Sequence, residues 1–372
     1  MAERDTRAVA AIFRAPLFNA SETFVQTHAA ALRRYRPLVV GLVDKGGAWP
    51  ELRDRLLLAR PGEAAALKLL GRARGLAGRV AAHAPRLVHA HFATDGLLAL
   101  PLAEALGIPL VTTLHGFDVS RSRGAMLASG RLSWMRYALA GARLRRRGAL
   151  FLAVSDAIRA KALASGFPPE RILTHHNGVD LTRFLPAHAP EPGLVLHVGR
   201  LVEKKGTALL IEAMAGVDGR LVVIGDGPLR ADLERRAGPL GERVRFLGAL
   251  PPDEVAAWMA RAWVLAAPSV TARDGDSEGL PTVVAEAAAA GLPAIVSDHS
   301  GLPEAVVEGE TGFIVPEGDA AALARALTDS LAFPTVRSRM AAAARALAAE
   351  RFDAAKQAEA LERLYDRVTG CA

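Results

Sequence analysis

The sequence has 372 residues, 51% of them hydrophobic, which is enough chain and apolar surface for two domains of ordinary size. Its single cysteine, Cys371, excludes a disulfide framework, and charged residues near the amino terminus argue against a signal peptide, so we expect a cytoplasmic protein. The net charge of +7 is unevenly divided, because residues 1–190 contain 27 Lys and Arg against 13 Asp and Glu. Aromatic residues make up only 5% and do not alternate with the basic ones, so no nucleic-acid partner is expected.

The first half of the chain alternates short apolar runs with helical patterns, such as those at Asp95–Leu106 and Asp156–Ala164. Apolar runs of this kind are typical of parallel strands that helices cover on both faces. They predict strands at Ala8–Phe13, Leu38–Val43, Leu87–His91, Leu110–Leu114, Leu150–Val154 and Ile172–His175.

The second half repeats the pattern after a proline-rich interruption at 186–193, which we interpret as a hinge linker. The sequence therefore predicts an α/β protein with two Rossmann-like, doubly wound parallel-sheet domains at 1–185 and 194–350, followed by a C-terminal helix at 351–372. The predicted strands of this half are Leu194–Val198, Leu221–Ile224, Val244–Leu247, Val264–Ala267, Ala294–Ser297 and Phe313–Val315, and the last helices are Asp319–Ser330, Pro334–Glu350 and Asp353–Val368.

Loops that follow the strands are the candidate sites, because ligands of doubly wound sheets bind beyond the carboxyl ends of the strands. Two such domains joined by a hinge would face each other across a cleft. After the first strand, Ser21 is a plausible helix N-cap, and the alternative is that Ser21, Glu22 and Thr23 contact an acceptor. His115 and Asp118 follow the strand at Leu110–Leu114, where a cleft residue is expected, although packing is the alternative for a single histidine.

Two other features of the first half have both a structural and a functional interpretation. His89 and His91 have the spacing of a metal pair on one face of a strand, but no carboxylate or cysteine accompanies them, so we interpret them as structural. The stretches 67–80 and 131–147 mix basic and apolar residues at helical spacing. Such helices can lie on an anionic membrane surface, and a solvated helix face is the alternative.

The loop after the first strand of the second domain carries Arg200 and Lys205, five residues apart. A guanidinium and an ammonium at this place can bind a diphosphate, and an exposed basic turn is the alternative. Lys204 is an equally suitable cation by position alone. The glycines at 225 and 227 form a tight turn after the next strand, which we attribute to packing because the dinucleotide fingerprint needs a third glycine.

The strongest motif places Glu278 in a glycine-rich loop and Glu286 eight positions later, about two turns into a helix. The unpaired amides at the start of that helix, from Leu280 to Val283, form an anion site, and Pro281 suits an early helical position. Carboxylates accept hydrogen bonds from vicinal hydroxyls of a sugar or a ribose. A capped helix with two solvated glutamates is the alternative, but the apolar neighbours of Glu286 make an idle charge costly.

Together these motifs resemble the retaining GT-B glycosyltransferases of family 4, group 1, which include glycogen synthases and phosphatidylinositol mannosyltransferases. The resemblance is carried by the paired glutamates, by Gly199-Arg200 with Lys205-Gly206, by His115-Gly116 and by the segment Asn177–Asp180. A closer resemblance, to colanic-acid and amylovoran enzymes, lies in Ser21–Val25, His89–Phe92 and Asp274–Pro281. The loop Ala15–Ala20 departs from the relatives, which often carry a Gly-Gly pair there.

The resemblance implies an acceptor-binding first domain and a donor-binding second domain, with the C-terminal helix crossing back to the first. It implies that Glu278 binds the donor sugar, that Glu286 binds the ribose, and that Arg200 and Lys205 neutralise the diphosphate. His115 would contact the donor sugar. The implied catalytic residues are therefore His115, Glu278, Arg200 and Lys205, and the donor-binding residues also include Gly279, Leu280, Pro281, Thr282, Val283 and Glu286.

The implied reaction transfers a hexosyl group from a UDP- or GDP-sugar to a saccharide or lipid-linked saccharide, with retention of the anomeric configuration. No metal or other cofactor is expected, because two cations and a helix end can stabilise the leaving diphosphate. The acceptor residues would be Ser21, Glu22, Thr23 and Asp118. The enzyme would act in exopolysaccharide synthesis in the cytoplasm, and peripheral binding to the inner face of the cytoplasmic membrane is a further expectation. A nucleotide-sugar epimerase and a non-catalytic nucleotide-sugar-binding scaffold are the alternatives.

Overall fold

The structure, a computed structural model, describes residues 5–19, 22–47, 49–186 and 190–371. The chain forms two compact units, of which the first comprises Met1–Gly178 with Ala354–Ala372 and the second comprises Val179–Asp353. The chain thus passes between the units at Gly178–Val179, ahead of the predicted linker at 186–193, and returns at Asp353–Ala354. Residues 187–189 of that linker lie outside the described residues. No helix of the described residues is long and apolar enough to cross a membrane.

The first unit is built on a parallel sheet with the order β5-β3-β1-β6-β7-β8-β9. A short parallel ladder of β2 and β4 stands apart from this sheet. The strands are β1 (Ala8–Phe13), β2 (Pro16–Leu17), β3 (Tyr35–Gly41), β4 (Val43–Asp44), β5 (Leu56–Leu58), β6 (Pro85–His91), β7 (Leu110–Leu114), β8 (Leu150–Ala153) and β9 (Ile172–Thr174).

Helices separate these strands, and a π turn at Ala66–Leu70 and a 3-10 turn at Pro169–Arg171 complete the first unit. The helices are α1 (Thr23–Ala31), α2 (Pro50–Arg53), α3 (Pro61–Ala65), α4 (Arg74–Ala81), α5 (Ala93–Leu106), α6 (Phe117–Ser120), α7 (Arg123–Ala128), α8 (Leu132–Arg147) and α9 (Asp156–Ala164), and the last helix of the chain is α16 (Ala354–Thr369).

Helix α16 is part of the core of the first unit. Leu361 and Tyr365 are buried against residues of β1, β3 and α1. The buried carboxylate of Glu362 accepts hydrogen bonds from three successive amides, those of residues 33–35, at 2.7–3.0 Å. Since these amides follow α1 directly, Glu362 fixes α16 to the end of that helix.

The second unit has a parallel sheet with the order β12-β11-β10-β13-β14-β15. Its strands are β10 (Leu194–Val198), β11 (Arg220–Ile224), β12 (Val244–Gly248), β13 (Val264–Ala267), β14 (Ala294–Ser297) and β15 (Gly312–Val315). Its helices are α10 (Thr207–Met214), α11 (Arg230–Ala237), α12 (Pro252–Arg261), α13 (Thr282–Ala289), α14 (Ala320–Ala332) and α15 (Pro334–Leu347), with 3-10 turns at Glu203–Lys205, Gly238–Arg243 and Leu302–Ala305 and a π turn at Ala348–Phe352.

Both sheets confirm the predicted α/β class with doubly wound parallel sheets. Every strand predicted from the sequence has a counterpart, and five have the predicted bounds: Ala8–Phe13, Leu110–Leu114, Leu194–Val198, Val264–Ala267 and Ala294–Ser297. The strands β2, β4 and β5 were not predicted, because two or three residues cannot establish a pattern. In each unit the strand order changes direction at the first strand of the sheet. In the first unit β1 lies between β3 and β6, and in the second unit β10 lies between β11 and β13. Ligands of doubly wound sheets bind at this switch point.

Candidate functional site

The switch point of the second unit brings together the loops that follow β10 and β13. Gly206, at the end of the first loop, has φ +65°, and a Cβ atom there would lie 1.8 Å from the carbonyl oxygen of Pro268. The amide of Val270 donates to the carbonyl of Lys204 at 2.9 Å. Only glycine permits this close approach, so the two loops are held as one surface at the carboxyl ends of the strands.

The turn after β11 packs beneath this surface. A Cβ atom on Gly225 would lie 1.9 Å from the carbonyl oxygen of Gly199, and one on Gly227 would lie 2.4 Å from that of Leu201. The amide of Leu201 also donates to the carbonyl of Asp226 at 2.9 Å. The glycine turn therefore supports the loop that carries Arg200, as the packing interpretation predicts.

Lysine and glutamate side chains from the two loops meet at this point. Lys205 Nζ lies 3.2 Å from Glu278 Oε1, and Lys204 Nζ lies 3.6 Å from the same oxygen and 3.3 Å from Asp276 Oδ1. The aliphatic stem of Lys205 lies against Gly199, where a Cβ atom would be 3.2 Å from Lys205 Cε. Both lysines that the sequence left as alternatives therefore contact Glu278.

Glu278 is buried, with 6% of its surface exposed. Burial by itself would raise the pKa of its carboxyl, but Lys205 and Lys204 outweigh burial and lower that pKa to about 2. The Oε1 atom is fully buried and receives no aligned hydrogen bond from the described residues, although both ammonium groups are near. An ionised carboxylate is suited to accept a hydrogen bond from the hydroxyl of a ligand.

The backbone of Glu278 is anchored by residues that the sequence analysis missed. Its amide donates to His299 Nε2 at 3.3 Å, and His299 Nδ1 lies 2.9 Å from Glu317 Oε2. The other oxygen of Glu317 accepts the amide of Thr271 at 2.6 Å. His299 and Glu317 come directly after β14 and β15, so the rule that directs attention to strand ends contained the signal needed to find them.

The start of α13 lies directly after Glu278 in the chain. The helix begins at Thr282 with Pro281 at the N-cap position, and no side chain of the described residues caps it. Leu280 and Val283 are buried, while Gly279 joins the helix start to Glu278. No side chain of the described residues therefore competes for the first amides of α13, and their binding of an anionic ligand stays a prediction.

Glu286 lies on the second turn of α13 and is partly buried. Burial raises the pKa of its carboxyl to about 7, and Arg183 and a hydrogen bond with Thr282 offset only part of this effect. Arg200 is exposed on the loop after β10, and no ion pair of the described residues involves it. The second unit therefore combines a free guanidinium, two lysines, a helix start and two carboxyls of different acidity at one sheet edge.

The switch point of the first unit holds a buried ion cluster. Arg14, directly after β1, makes a bidentate pair with Glu22 at 2.8 Å for both contacts, and its Nη1 lies 2.6 Å from Asp95 Oδ2. The same Asp95 oxygen accepts the amide of Ala15 at 2.7 Å, and the guanidinium of Arg14 stacks on the ring of Phe92 at 4.4 Å. Arg14 is a residue that the sequence analysis missed.

Of the predicted acceptor residues in the loop after β1, Ser21 lies outside the described residues. Glu22 precedes α1 and is occupied by Arg14, and Thr23 is the first residue of α1. Acceptor contact by these residues stays a prediction. The structure adds that the Glu22 carboxylate is held in place by a buried cation.

His115 lies after β7, between the rings of Phe24 and Phe92, with both ring centroids 4.5 Å from its own. Asp118 is buried, and its carboxylate accepts the amides of Ala93 and Gly116 at 2.8 Å and that of His115 at 3.1 Å. These bonds hold the loop that carries His115 against the start of α5. Direct contact of Asp118 with an acceptor stays a prediction, since the structure gives its carboxylate this positioning role.

Behind His115, three further histidines lie in the interior of the first unit. The ring nitrogens of His28, His89 and His91 lie within 4.8 Å of one another, the one group of potential metal ligands among the described residues. These nitrogens are already engaged, because His28 and His91 hydrogen-bond each other at 2.9 Å and Tyr365 hydroxyl bonds His28 and His89. This arrangement agrees with the structural interpretation of His89 and His91.

Comparison with known proteins identifies the chain at the level of its family. Residues 180–347 match the model of the glycosyl transferases group 1, and residues 21–183 match that of glycosyltransferase family 4. A GDP-mannose-dependent phosphatidylinositol monomannoside mannosyltransferase of Mycolicibacterium smegmatis is 33% identical over 302 residues, which are 72% of this chain and 74% of that protein. The chain belongs to this glycosyltransferase family.

Relatives from polysaccharide synthesis match over a smaller share of their length. The putative colanic acid biosynthesis glycosyltransferase WcaL of Salmonella typhimurium is 38% identical over 257 residues, which are 64% of this chain and 60% of that protein. The amylovoran biosynthesis glycosyltransferase AmsK of Erwinia amylovora is 35% identical over 249 residues, which are 64% of this chain and 59% of that protein. The chain thus matches about 60% of the length of these glycosyltransferases.

Solved structures confirm the predicted GT-B fold. The Anabaena protein Alr3699/HepE, in complex with UDP, has a TM-score of 0.77 at 22% identity and covers 97% of this chain and 100% of its own. A sucrose-phosphate synthase of Thermosynechococcus elongatus has a TM-score of 0.80 at 22% identity and covers 98% of this chain and 100% of its own. The three relatives from M. smegmatis, S. typhimurium and E. amylovora are all named as glycosyltransferases, and none of them is named as an epimerase.

Proposed function

We propose that the chain transfers a hexosyl group from a UDP- or GDP-sugar to a saccharide or lipid-linked saccharide in the synthesis of a cell-surface polysaccharide. The observation that carries the proposal is the meeting of Lys205 with Glu278 beside the uncapped start of α13, at the switch point of the second unit. Cations and free amides at a helix start suit a diphosphate, and a buried ionised carboxylate suits sugar hydroxyls. The relatives named for colanic acid and amylovoran synthesis support the polysaccharide context.

Different residues of the second unit bind different parts of the donor. Arg200, Lys205 and the amides from Gly279 to Val283 bind the diphosphate and stabilise the charge that develops on it as the glycosidic bond breaks. Glu278 accepts hydroxyls of the sugar, and Glu286 accepts those of the ribose. His115 is included among the catalytic residues because its motif matches that of the family.

Calorimetry tests the donor site. UDP, GDP and ADP are titrated into the wild type and the Lys205→Ala variant, and one nucleotide should bind the wild type with an affinity that the substitution lowers about tenfold to a hundredfold. Arg235→Ala is the matched control, since Arg235 is an exposed cation on α11 of the same unit. Equal affinity in the wild type and in Lys205→Ala would contradict the donor assignment, and no binding of any nucleotide would contradict the proposed function.

Turnover separates an enzyme from a binding scaffold. Glu278→Gln keeps the shape of the side chain and removes the charge that Lys205 neutralises, so we expect a loss of about a hundredfold or more in kcat with the fold intact. The comparison is made with a UDP- or GDP-sugar that the calorimetry identifies. A scaffold would show no transfer or hydrolysis in the wild type, and equal turnover in Glu278→Gln would contradict the role given to this carboxylate.

We also propose that transfer retains the anomeric configuration and needs no metal ion. Lys205, Lys204 and Arg200 supply three positive charges in the loop after β10, and such charges can neutralise a leaving diphosphate in place of a divalent cation. The anomeric configuration of the product is read by proton NMR, and the rate is measured with and without EDTA. An inverted product, or a rate that EDTA abolishes and Mg²⁺ restores, would contradict this part of the proposal.

The acceptor is assigned to the first unit, where Glu22 and Thr23 lie at the switch point. The bidentate bond to Arg14 fixes the carboxylate of Glu22 with part of its surface still exposed, which suits the recognition of an acceptor hydroxyl. Thr23→Val should raise the KM for the acceptor while leaving the KM for the donor unchanged. A change confined to the donor KM would place this loop at the donor instead.

An anionic membrane surface is the proposed location of the first unit. Leu69 and Leu70 are exposed by 68% and 65%, and Leu132 and Leu139 on α8 by 53% and 65%. Arg136 ties the two segments together by donating to the carbonyls of residues 67 and 68. A helical surface with exposed leucines among arginines can bind vesicles that contain anionic lipid. Leu139→Glu should weaken sedimentation with such vesicles, and Leu185→Glu, in the second unit, is the control; equal binding by both would contradict this location.

A further inference from the structure

A continuous chain of side-chain hydrogen bonds runs through the interior of the first unit and ends at His115. From its inner end, Thr113 Oγ1 lies 2.7 Å from His89 Nε2, and His89 Nδ1 lies 2.5 Å from the hydroxyl of Tyr365. That hydroxyl lies 3.0 Å from His28 Nε2. His28 Nδ1 lies 2.9 Å from His91 Nε2, and His91 Nδ1 lies 3.0 Å from His115 Nε2.

All four imidazoles of this chain are neutral. Burial lowers the pKa of His28 to about 3 and lowers the pKa values of His89, His91 and His115 well below the ordinary value of 6.5. The positive charge of Arg14 and the nearby His28 also lower the pKa of His115. The hydroxyl of Tyr365 also stays protonated, because burial raises its pKa.

A neutral imidazole has one nitrogen that donates and one that accepts, and a hydroxyl donates one hydrogen bond. Each inner member of the network uses both of its positions, so every N–H and O–H finds an acceptor within it only when all the donors point in the same direction. If they point toward His115, its Nε2 accepts from His91 and its Nδ1 carries the proton. If they point inward, His115 Nε2 donates and its Nδ1 presents a lone pair. Among the described residues Nδ1 of His115 has no other partner.

We infer that Tyr365, His28 and His91 are positioning residues that hold His115 in a single neutral tautomer. The C-terminal helix contributes the central member of the chain, because Tyr365 lies on α16. Loss of its hydroxyl leaves His28 Nε2 and His89 Nδ1 without their common partner. The donor direction at Thr113 and His89 is then no longer coupled to the donor direction at His28, His91 and His115. His115 can then exchange between its two tautomers.

Nitrogen-15 NMR of histidine-labelled, ligand-free protein tests this inference, and His115→Gln identifies the His115 signals. In the wild type one ring nitrogen of His115 should carry the proton and the other should not. In Tyr365→Phe the two signals should move toward each other as the tautomers exchange. Tyr35→Phe is the matched control, because Tyr35 packs on the Tyr365 ring at 5.2 Å and bonds Asp366 on α16 but lies outside the chain. Unchanged His115 signals in Tyr365→Phe, or averaged signals in the wild type, would overturn the inference.

Thr113→Val provides a second, directional test that leaves α16 intact. Without the hydroxyl, an unprotonated His89 Nε2 is less costly than an unpaired N–H, so every donor should point toward His115. The proton of His115 is then expected on Nδ1. A proton on Nε2 in this variant would overturn the inference that the hydrogen-bond network sets the tautomer. Stoichiometric binding of Zn²⁺ by these imidazoles in the wild type would also overturn the inference. A nitrogen that coordinates zinc can neither donate nor accept the hydrogen bond that the network requires.

The importance of this tautomer for transfer depends on the proposed function, in which His115 is a catalytic residue. We expect Tyr365→Phe to lower kcat about tenfold while the donor KM stays unchanged, and Tyr35→Phe to leave both unchanged. The NMR measurement needs no substrate, so failure of the chain and failure of the proposed function can be distinguished. An altered tautomer with no change in kcat would show that His115 has no catalytic role, while the inference about the hydrogen-bond network would stand.

Discussion

Replacement of Glu286 by glutamine should stabilise the second unit at neutral and alkaline pH. The Glu286 carboxyl is partly buried on α13, and burial raises its pKa to about 7 from the ordinary value of 4.5. A folded state that holds a proton more tightly than the unfolded chain loses stability as the pH rises between these two values. Glutamine has nearly the same shape and does not ionise, so Glu286→Gln should not show this loss.

The size of the effect follows from the difference between the two pKa values. At pH 8 the folded state bears nearly the whole cost of ionising Glu286, which is about 3 kcal/mol at about 1.4 kcal/mol for each pH unit. At pH 5 the folded state keeps its proton and the cost is only about 1 kcal/mol. The variant should therefore gain about 2 kcal/mol more over the wild type at pH 8 than at pH 5.

Urea unfolding of both proteins at several pH values between 5 and 8 measures this difference. Glu212→Gln is the control, since Glu212 is exposed on α10 of the same unit and should change stability by less than about 0.5 kcal/mol at any pH. If Glu286→Gln were no more stable than the wild type at pH 8, or if the difference did not change with pH, the buried-carboxyl argument would be refuted. The same variant should bind the nucleotide less tightly. That result would indicate that Glu286, although its ionisation lowers the stability of the fold, is needed for ligand binding.

Three more predictions concern the donor site and the first unit. Nucleotide affinity of the wild type should rise from pH 6 to pH 8, because the ionised form of Glu286 is the better acceptor for ribose hydroxyls, and calorimetry of Glu286→Gln should show no such rise. Glu317→Gln should lower donor affinity about tenfold by releasing His299 from its bond, as one charge-assisted hydrogen bond is lost, with unfolding in urea little changed; equal affinity would remove this relay from the site. Arg14→Met should destabilise the protein by about 3–5 kcal/mol because two carboxylates lose their buried partner. Arg147→Met, which breaks an exposed ion pair, should cost less than about 1 kcal/mol, and a similar loss in both variants would contradict the argument.

The sequence predicted the fold well because doubly wound sheets leave a strong local pattern. Buried parallel strands such as β10 and β13 are continuous apolar runs, and helices with a clear N-cap such as Asp319 are recognisable from their first residue. The position of Glu278 and Lys205 in loops that follow strands agrees with the same rule. Their contact did not follow, because the sequence gives the strand end but not the strand order that brings the two loops together.

The contacts that the sequence could not predict join residues that are distant in the chain. Arg14 and Asp95 are separated by 81 positions, and His28 and Tyr365 by 337. Neither residue stands out in the sequence. Arg14 is one of many arginines in the basic first half, and Tyr365 lies on the apolar face of an amphipathic helix. Their importance arises only from burial, which forces each polar group to find a partner.

The two glutamates of the donor motif show how neighbours assign different roles to the same residue type. Glu278 and Glu286 are eight positions apart, yet the pKa of one is about 2 and that of the other is about 7. Both are desolvated, and the difference arises because two lysines contact Glu278, while Arg183, Thr282 and Lys205 have a weaker influence on Glu286. Glu278 is therefore charged at every physiological pH and fixes the lysines before a ligand arrives. Glu286 titrates near neutrality, so the binding of a ribose, which favours its ionised form, should release a proton, and calorimetry in buffers of different ionisation enthalpy can measure that release.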